Sequence, residues 1–138
     1  MTSSADTPTA ASLIPEIGAD PVTAVRAGLP YSALEPVREH LEASDDLLAQ
    51  ALGISARTLR RRRETGTLTT DESDRLVLLA EVVALAQQAL DSAEAAREWL
   101  RTPHSMLGGE SPLEHIDTVT GMEEVKTMLD HIEYGLPG

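Results

Sequence analysis

Five arginines lie within the seven residues from 57 to 63. Guanidinium groups bind phosphate oxygens and the acceptor atoms of guanine, so this cluster predicts contact with nucleic acid. The whole chain is acidic, with 11 Lys+Arg against 23 Asp+Glu and a formal net charge of -12. An acidic total argues against nucleic-acid binding, but a local asymmetry of charge is informative about its own segment. The alternative interpretation is a solvated helix face whose arginines pair with the abundant carboxylates.

Other residue types offer little catalytic chemistry. The sequence has no Cys, and its histidines do not have the spacing of metal ligands or of a HExxH motif. These histidines are His40, His104, His115 and His131. We find no glycine-rich phosphate loop after a strand and no recognisable Ser/His/Asp pattern. The sequence therefore predicts a binding protein that is not an enzyme and needs no cofactor or metal.

The arginine run begins just after a pattern typical of a helix-turn-helix. Gly53 permits a tight turn, Ser55 caps the second helix and Leu59 anchors that helix to the core. The other residues expected to face the core are Leu47, Leu48, Ala49, Leu52 and Ile54. Such a motif places its second helix in the major groove of DNA, with its early residues at the base edges.

Helical geometry separates the arginines from one another. With Leu59 set at 0° and about 100° per residue, Arg57 lies near roughly 160° and Arg61 near roughly 200°, directly away from the core. Arg63, near roughly 40°, is expected to lie along the core edge or to pair with an acid such as Asp71 or Glu72. The predicted DNA-contacting residues are Arg57 and Arg61 first, then Arg60 and Thr58, with Ser55 and Arg62 completing the set.

The remaining elements are also typical of helices, so we predict an all-α fold with a core of Leu, Val, Ile and Ala. Expected helix starts are Asp20-Pro21, a Ser32–Glu35 capping box, Ser44, Ser55, Thr70, Ser92, a Ser111–Glu114 capping box and a Thr120–Glu123 capping box. Expected ends include Gly28, Gly53, Gly66 and Gly135. The helix at about 71–90 is apolar on every side, which predicts packing on both sides, and a second copy of the chain could supply one of them.

Three regions are predicted along the chain. Residues 1–20 are rich in Ser, Thr, Ala and Pro and are expected to be a disordered tail, with weak docking by Leu13, Ile14 and Ile17 as the alternative. Residues 21–68 form the helix-turn-helix domain, and residues 69–138 form a second helical domain. Without a signal-peptide pattern or a membrane-spanning apolar run, the expected location is the cytoplasm.

Three segments together resemble one known family. They are "LGISARTLRRRRETGTLTTDESDRLVLLAEVV" (52–83), "AREWLRTPHSMLGGESPLEHIDTVTG" (96–121) and "LDHIEYG" (129–135). The chain resembles the antitoxins of the RES–Xre family, also called the Xre/MbcA/ParS type. The resemblance implies an all-helical, bacterial, cytoplasmic homodimer within a larger toxin–antitoxin complex. In it, an N-terminal Xre-like helix-turn-helix bundle is joined by a long buried helix to a small, dimerising and toxin-binding C-terminal domain.

The resemblance also implies the partners. One is a cognate RES-domain toxin that consumes NAD⁺, whose active-site entrance the antitoxin covers; the other is operator DNA, bound as an autorepressor. On this basis we expect the last helical turn and the residues next to it, Glu133, Tyr134, Gly135 and Leu136, to contact the toxin. Two alternatives stay open: an inhibitor that keeps its helix-turn-helix only as a scaffold, and an ordinary repressor whose C-terminal domain senses a ligand or partner.

Overall fold

The computed structural model describes residues 9–135, and within them the chain is all-α, as predicted. The helices are α1 (Ala10–Leu13), α2 (Pro21–Ala27), α3 (Leu34–Leu41), α4 (Asp45–Leu52), α5 (Ala56–Thr65), α6 (Thr70–Leu90), α7 (Ala93–Arg101), α8 (Pro112–His115) and α9 (Val119–Tyr134). Three short 3₁₀ turns, Pro15–Ile17, Tyr31–Ala33 and Ser105–Leu107, connect some of them. The buried core is aliphatic apart from Tyr31 and Met122, which confirms the composition argument.

Most helix boundaries fall where local signals place them. Asp20 accepts a hydrogen bond from the Thr23 amide at the start of α2. Ser44 and Ser55 likewise cap α4 and α5, while Gly53 and Gly66 end these helices in left-handed conformations. The Ser111–Glu114 capping box at α8 also forms.

Three predicted starts are wrong in detail. At α3, the Tyr31–Ala33 turn runs directly into the helix, so Ala33 occupies the N-cap position and no side chain caps the helix. At α6, the cap is Thr69 and not Thr70, because Glu72 then stands at the third position and completes a capping box. At α9, Thr118 caps the helix by accepting from the Gly121 amide, so the predicted Thr120–Glu123 box does not form.

The expectation of a disordered tail over residues 1–20 is wrong for residues 9–20; residues 1–8 lie outside the described residues. Thr9 caps α1, and α1 packs against α6. Leu13, Ile14 and Ile17 are 5%, 0% and 4% exposed. Burial of three large apolar side chains in one short segment supplies the stabilisation that ordering its backbone requires. The segment is therefore part of the core.

Helix α6 is the centre of the molecule. It packs against α1, α2, α3, α4, α7 and α9, so helices of the same chain cover its apolar sides. Burial all round, predicted from the sequence, is thus largely achieved within one chain. Homodimerisation stays a prediction, and so does the division of the chain between residues 68 and 69.

Arg75 of α6 joins the N-terminal and C-terminal helices. Its Nη2 donates to the carbonyl oxygens of Ile116 (3.2 Å) and Asp117 (2.6 Å), just before α9. On the other side, a Cβ atom placed on Gly53 would lie 3.0 Å from the same nitrogen. The turn between α4 and α5 therefore lies directly against Arg75, and Arg75 lies against the α8–α9 connection.

Candidate DNA-binding and protein-binding surfaces

The helix-turn-helix predicted from the sequence is formed by α4 and α5. Leu48, Ala49, Leu52 and Leu59 are buried, and Ile54 packs against the core from the turn. Leu47 is only partly buried. Gly53, with φ 72, takes the left-handed conformation that a turn between two closely packed helices requires. This packing fixes α5 so that the side opposite Leu59 faces solvent.

Three arginines form one exposed face of α5. Arg57, Arg60 and Arg61 line a shallow depression together with Glu64. Within residues 9–135, none of the three makes an ion pair or a side-chain hydrogen bond. Helical geometry assigns Arg57 and Arg61 to the outward side, and the structure places them there. We call Arg57, Arg60 and Arg61 the arginine face.

Arg62 and Arg63 are held by acidic partners. The Nε of Arg62 donates to Glu72 at 2.7 Å, so its guanidinium lies against α6, and a contact from Arg62 to DNA stays a prediction. Arg63 donates from Nη2 to both carboxylate oxygens of Asp45 (3.1 Å each) and from Nε to the Tyr31 hydroxyl (3.2 Å). The expected acid for Arg63 was Asp71 or Glu72, and both expectations are wrong. The structural role predicted for Arg63 is confirmed.

These ion pairs lower the pKa of the carboxyl groups of Glu72 and Asp45. Burial acts to raise the pKa of Glu72, but hydrogen bonds from Arg62 and the Thr69 amide outweigh it and lower the pKa below its ordinary value. Burial also acts to raise the pKa of Asp45. The guanidinium groups of Arg38 and Arg63 outweigh it and lower that pKa below its ordinary value. Both carboxylates therefore stay charged at neutral pH and hold α5 against α4 and α6.

Ser55 and Thr58 lie at the start of α5 beside the arginine face. The Ser55 hydroxyl accepts from the Thr58 amide (3.0 Å) and bonds the Thr58 hydroxyl (3.0 Å). Both side chains are therefore engaged in capping the helix. A contact from either of them to DNA stays a prediction.

The predicted toxin-contacting residues lie at the end of α9. Tyr134 is 68% exposed, and Gly135 ends the helix with φ 66. Glu133 is half-buried, and its Oε2 accepts from Gln88 Nε2 at 2.6 Å, which ties this turn to α6. Leu136, the fourth predicted residue, lies outside the described residues. We call Glu133–Gly135 the C-terminal turn.

The loop between α7 and α8 is fixed at both ends. Trp99 packs against the core and lies against His104 with a tilted ring, the ring centroids being 5.0 Å apart, which supports the anchoring role expected for the single Trp. Gly108 and Gly109 form the expected tight turn, closed by the hydrogen bond from the Gly109 amide to the His104 carbonyl. The loop therefore holds a defined shape beside α9.

His115 connects this loop to α9. Its Nδ1 bonds Glu110 at 2.8 Å and its Nε2 bonds Glu124. Hydrogen bonds that His115 donates to the carboxylates of Glu124 first and then Glu110 raise the pKa of His115 above its ordinary value. Sequence reasoning missed this contact because the three residues are separated along the chain and only the folded α8–α9 corner brings them together.

A groove that the sequence did not reveal lies beside this corner. Its volume is about 390 Å³, and its lining is Met106, Leu107, Thr120, Glu123, Glu124, Thr127 and Met128. Met106 is 65% exposed although it is a large apolar side chain. The only sequence signal was a Met-Leu pair in a polar loop. We call this feature the α9 groove.

Among residues 9–135, no cluster of three or more His, Asp or Glu side chains has an arrangement that could hold a metal ion. No single helix in that range meets the length and hydropathy requirements for crossing a membrane; α6 and α7, bent by 117°, meet them only as a pair.

Comparison with known proteins matches the two halves of the chain separately. A model described as the antitoxin Xre-like helix-turn-helix domain matches residues 20–81, and one described as the antitoxin Xre/MbcA/ParS C-terminal toxin-binding domain matches residues 85–135. The arginine face lies in the first range. The α9 groove and the C-terminal turn lie in the second.

Three curated relatives carry antitoxin names. "Antitoxin Xre" of Pseudomonas putida is 37% identical over 59% of this chain and 52% of its own length, so the chain spans about half of that relative. "Antitoxin Xre" of Yersinia enterocolitica is 27% identical over 83% of this chain and 79% of its own. "Prs ADP-ribosylating antitoxin" of Sphingobium sp. is 25% identical over 84% and 79%.

Proposed function

Since the chain belongs to the Xre/MbcA/ParS family of antitoxins, we propose that it neutralises a toxin protein with its C-terminal helices and binds operator DNA with α5. The observation that carries the proposal is the match of residues 85–135 to a toxin-binding domain. Both matched modules are binding modules, in agreement with the prediction that the chain is not an enzyme.

We propose a RES-domain toxin that consumes NAD⁺ as the partner, with the C-terminal turn covering its active-site entrance. The sequence resemblance supports this choice, and a relative named for an ADP-ribosylating system is compatible with it. The exposed Tyr134 ring and the free space around Gly135 give this end of α9 a shape that can enter a cleft. The chain's net charge of -12 favours association with a basic nucleotide-binding pocket.

The toxin-neutralising part of the proposal is tested by the growth of cells that carry the toxin encoded beside this gene. Co-expression of the full chain is expected to restore growth, and a chain ending at Ile132 is expected not to. A chain with Val22→Ser, which alters an exposed residue of α2, is the matched control and is expected to protect fully. Full protection by the shortened chain would refute the role of the C-terminal turn.

The DNA arm rests on the arginine face. Arg57 and Arg61 lie one turn apart on α5, point away from the core and have no acidic partner within the described part of the chain. Exposed guanidinium groups on a recognition helix bind phosphates or guanine edges. The acidic remainder of the protein repels DNA elsewhere, which confines binding to this face.

Operator binding by Arg57→Ala/Arg61→Ala tests the DNA arm. Affinity at low salt is expected to fall, and the slope of log K against log salt is expected to decrease by about 1 for each lost phosphate contact. Arg26→Ala, which removes an exposed arginine of α2, is the control and is expected to bind as wild type. Unchanged binding by the double variant would leave the helix-turn-helix as a scaffold only.

We further propose that the protein acts as a homodimer in the bacterial cytoplasm. Two α5 helices would offset the weak affinity expected of one acidic monomer for DNA. Size-exclusion chromatography with light scattering is expected to give twice the chain mass, and a monomer at all concentrations would overturn this part.

A further inference from the structure

The α9 groove combines an apolar floor with an acidic rim. Leu107 is buried, and Met128 packs against the core, so together they form a fixed floor. Met106 stands 65% exposed at the edge. Glu123 and Glu124 complete the rim with side chains that are 67% and 59% exposed.

We propose that the α9 groove is an anchoring site for the toxin, separate from the C-terminal turn, and that it binds a toxin segment carrying an apolar side chain next to a lysine or arginine. This inference rests on the proposed function, since it assumes that the toxin is the partner. In it the groove supplies affinity, while the C-terminal turn supplies the block of the active site.

The apolar part of the proposed toxin segment follows from Met106 and from the apolar floor of the α9 groove. A thioether side chain is flexible and polarisable, so it packs against many apolar shapes. An exposed apolar group that lies beside a concave apolar floor and has a polar rim is typical of a protein-contact site. Leaving Met106 in water has no benefit for the fold of this chain, because Leu107 already fills the core position of that loop.

The cationic part of the proposed toxin segment follows from the carboxylates on the rim of the α9 groove. Lys126 lies 3.7 Å from Glu123 but 3.0 Å from Glu81, so Glu81 is its closer partner and Glu123 keeps an open side. Glu124 has one oxygen on His115. With a net charge of -12 over the chain, an incoming lysine or arginine is attracted over a long distance and an acidic segment is excluded.

The groove is continuous with the C-terminal turn along one face of α9. Thr120, Glu124, Thr127 and His131 succeed each other at helical spacing and lead to Tyr134. At about 1.5 Å per residue, the distance from Thr120 to Tyr134 is about 21 Å. One globular partner can cover this length, so both sites can contact the same toxin molecule.

Binding of a catalytically inactive form of the toxin encoded beside this gene, measured by biolayer interferometry, tests the proposal. Met106→Ser removes apolar contact, Thr127→Arg places a cation in the groove, and Glu123→Gln removes one charge. Met106→Ser and Thr127→Arg are expected to weaken binding by about fivefold or more. Glu123→Gln is expected to slow association and to reduce its dependence on salt.

Two control variants and one shortened chain separate this inference from the proposed function. Val22→Ser and Glu94→Gln change exposed residues that do not line the groove and are expected to bind as wild type. A chain ending at Ile132 is expected to bind the toxin within about tenfold of wild type while failing to protect cells, because it keeps the groove.

If wild type binds and both Met106→Ser and Thr127→Arg bind within about twofold of it, the groove is not an anchor. If wild type does not bind the toxin, the proposed function fails, and the inference fails with it.

Discussion

The burial of residues 9–20 makes a quantitative prediction for Ile14. Its side chain is 0% exposed and lies between α1 and the turn Pro15–Ile17, in the segment that packs onto α6. Ile14→Ala removes three carbon atoms from this site. Val22→Ala is the matched control, because it removes apolar carbons from a side chain that is 56% exposed.

The size of the effect follows from complete burial. At about 0.8 kcal/mol for each buried carbon group, the transfer contribution is on the order of 2.4 kcal/mol. The cavity left behind brings the loss into the range of about 2–5 kcal/mol. For a loss of about 3 kcal/mol and an m-value of about 2 kcal/mol/M, the urea midpoint falls by about 1.5 M.

Urea unfolding followed by far-ultraviolet circular dichroism at one protein concentration measures this shift. Val22→Ala is expected to unfold within about 0.3 M of wild type. A midpoint for Ile14→Ala that equals that of Val22→Ala would refute the assignment of this segment to the core. A wild-type midpoint after deletion of residues 1–20 would refute it as well.

Three further outcomes are expected. Glu72→Gln keeps an acceptor for the helix cap but leaves Arg62 without its charged partner, so urea unfolding should show a loss of about 1.5–3 kcal/mol. Because the Glu72 pKa is lowered in the fold, that difference should be complete above the ordinary value of 4.5 and vanish as the pH falls through the folded pKa. Because the pKa of His115 is raised in the fold, its effect on stability depends on pH in the opposite direction. Wild type should be more stable than His115→Gln below pH 6.5 and should lose this advantage as the pH rises through the folded pKa, which thermal melts across a pH series would show. Gly121→Ala should lower the melting temperature although Ala favours helices, because its Cβ would overlap the His115 carbonyl oxygen; a rise in melting temperature would contradict this packing.

Local sequence signals were sufficient to place helix starts and ends where the residue type has a single role. Ser44, Ser55, Gly53 and Gly66 were assigned correctly because a capping hydroxyl or a left-handed glycine acts within one helical turn. Neighbouring candidates were harder to separate. Thr69 and Thr70 both have the right chemistry, and only the position of Glu72 three residues after Thr69 decides between them.

Contacts between helices could not be predicted in the same way. The angle of Arg57 around α5 depends only on that helix, and the outward position was correct. The acidic partner of Arg63 depends on how α4 crosses α5, so the assignment of Asp71 or Glu72 to Arg63 was wrong. The order of residues 9–20 was missed for a similar reason, because their burial requires the apolar side of α6, far away in the sequence.

The contact of Arg75 with both the Gly53 turn and the carbonyl oxygens of Ile116 and Asp117 restricts how this protein can evolve. Under the proposed function, a substitution that adjusts the α8–α9 corner to a changed toxin would also shift the support beneath the helix-turn-helix. Selection on toxin recognition would then act on operator recognition at the same time. Lineages that exchange one partner are expected to accept compensating changes at this joint before they diverge at either surface.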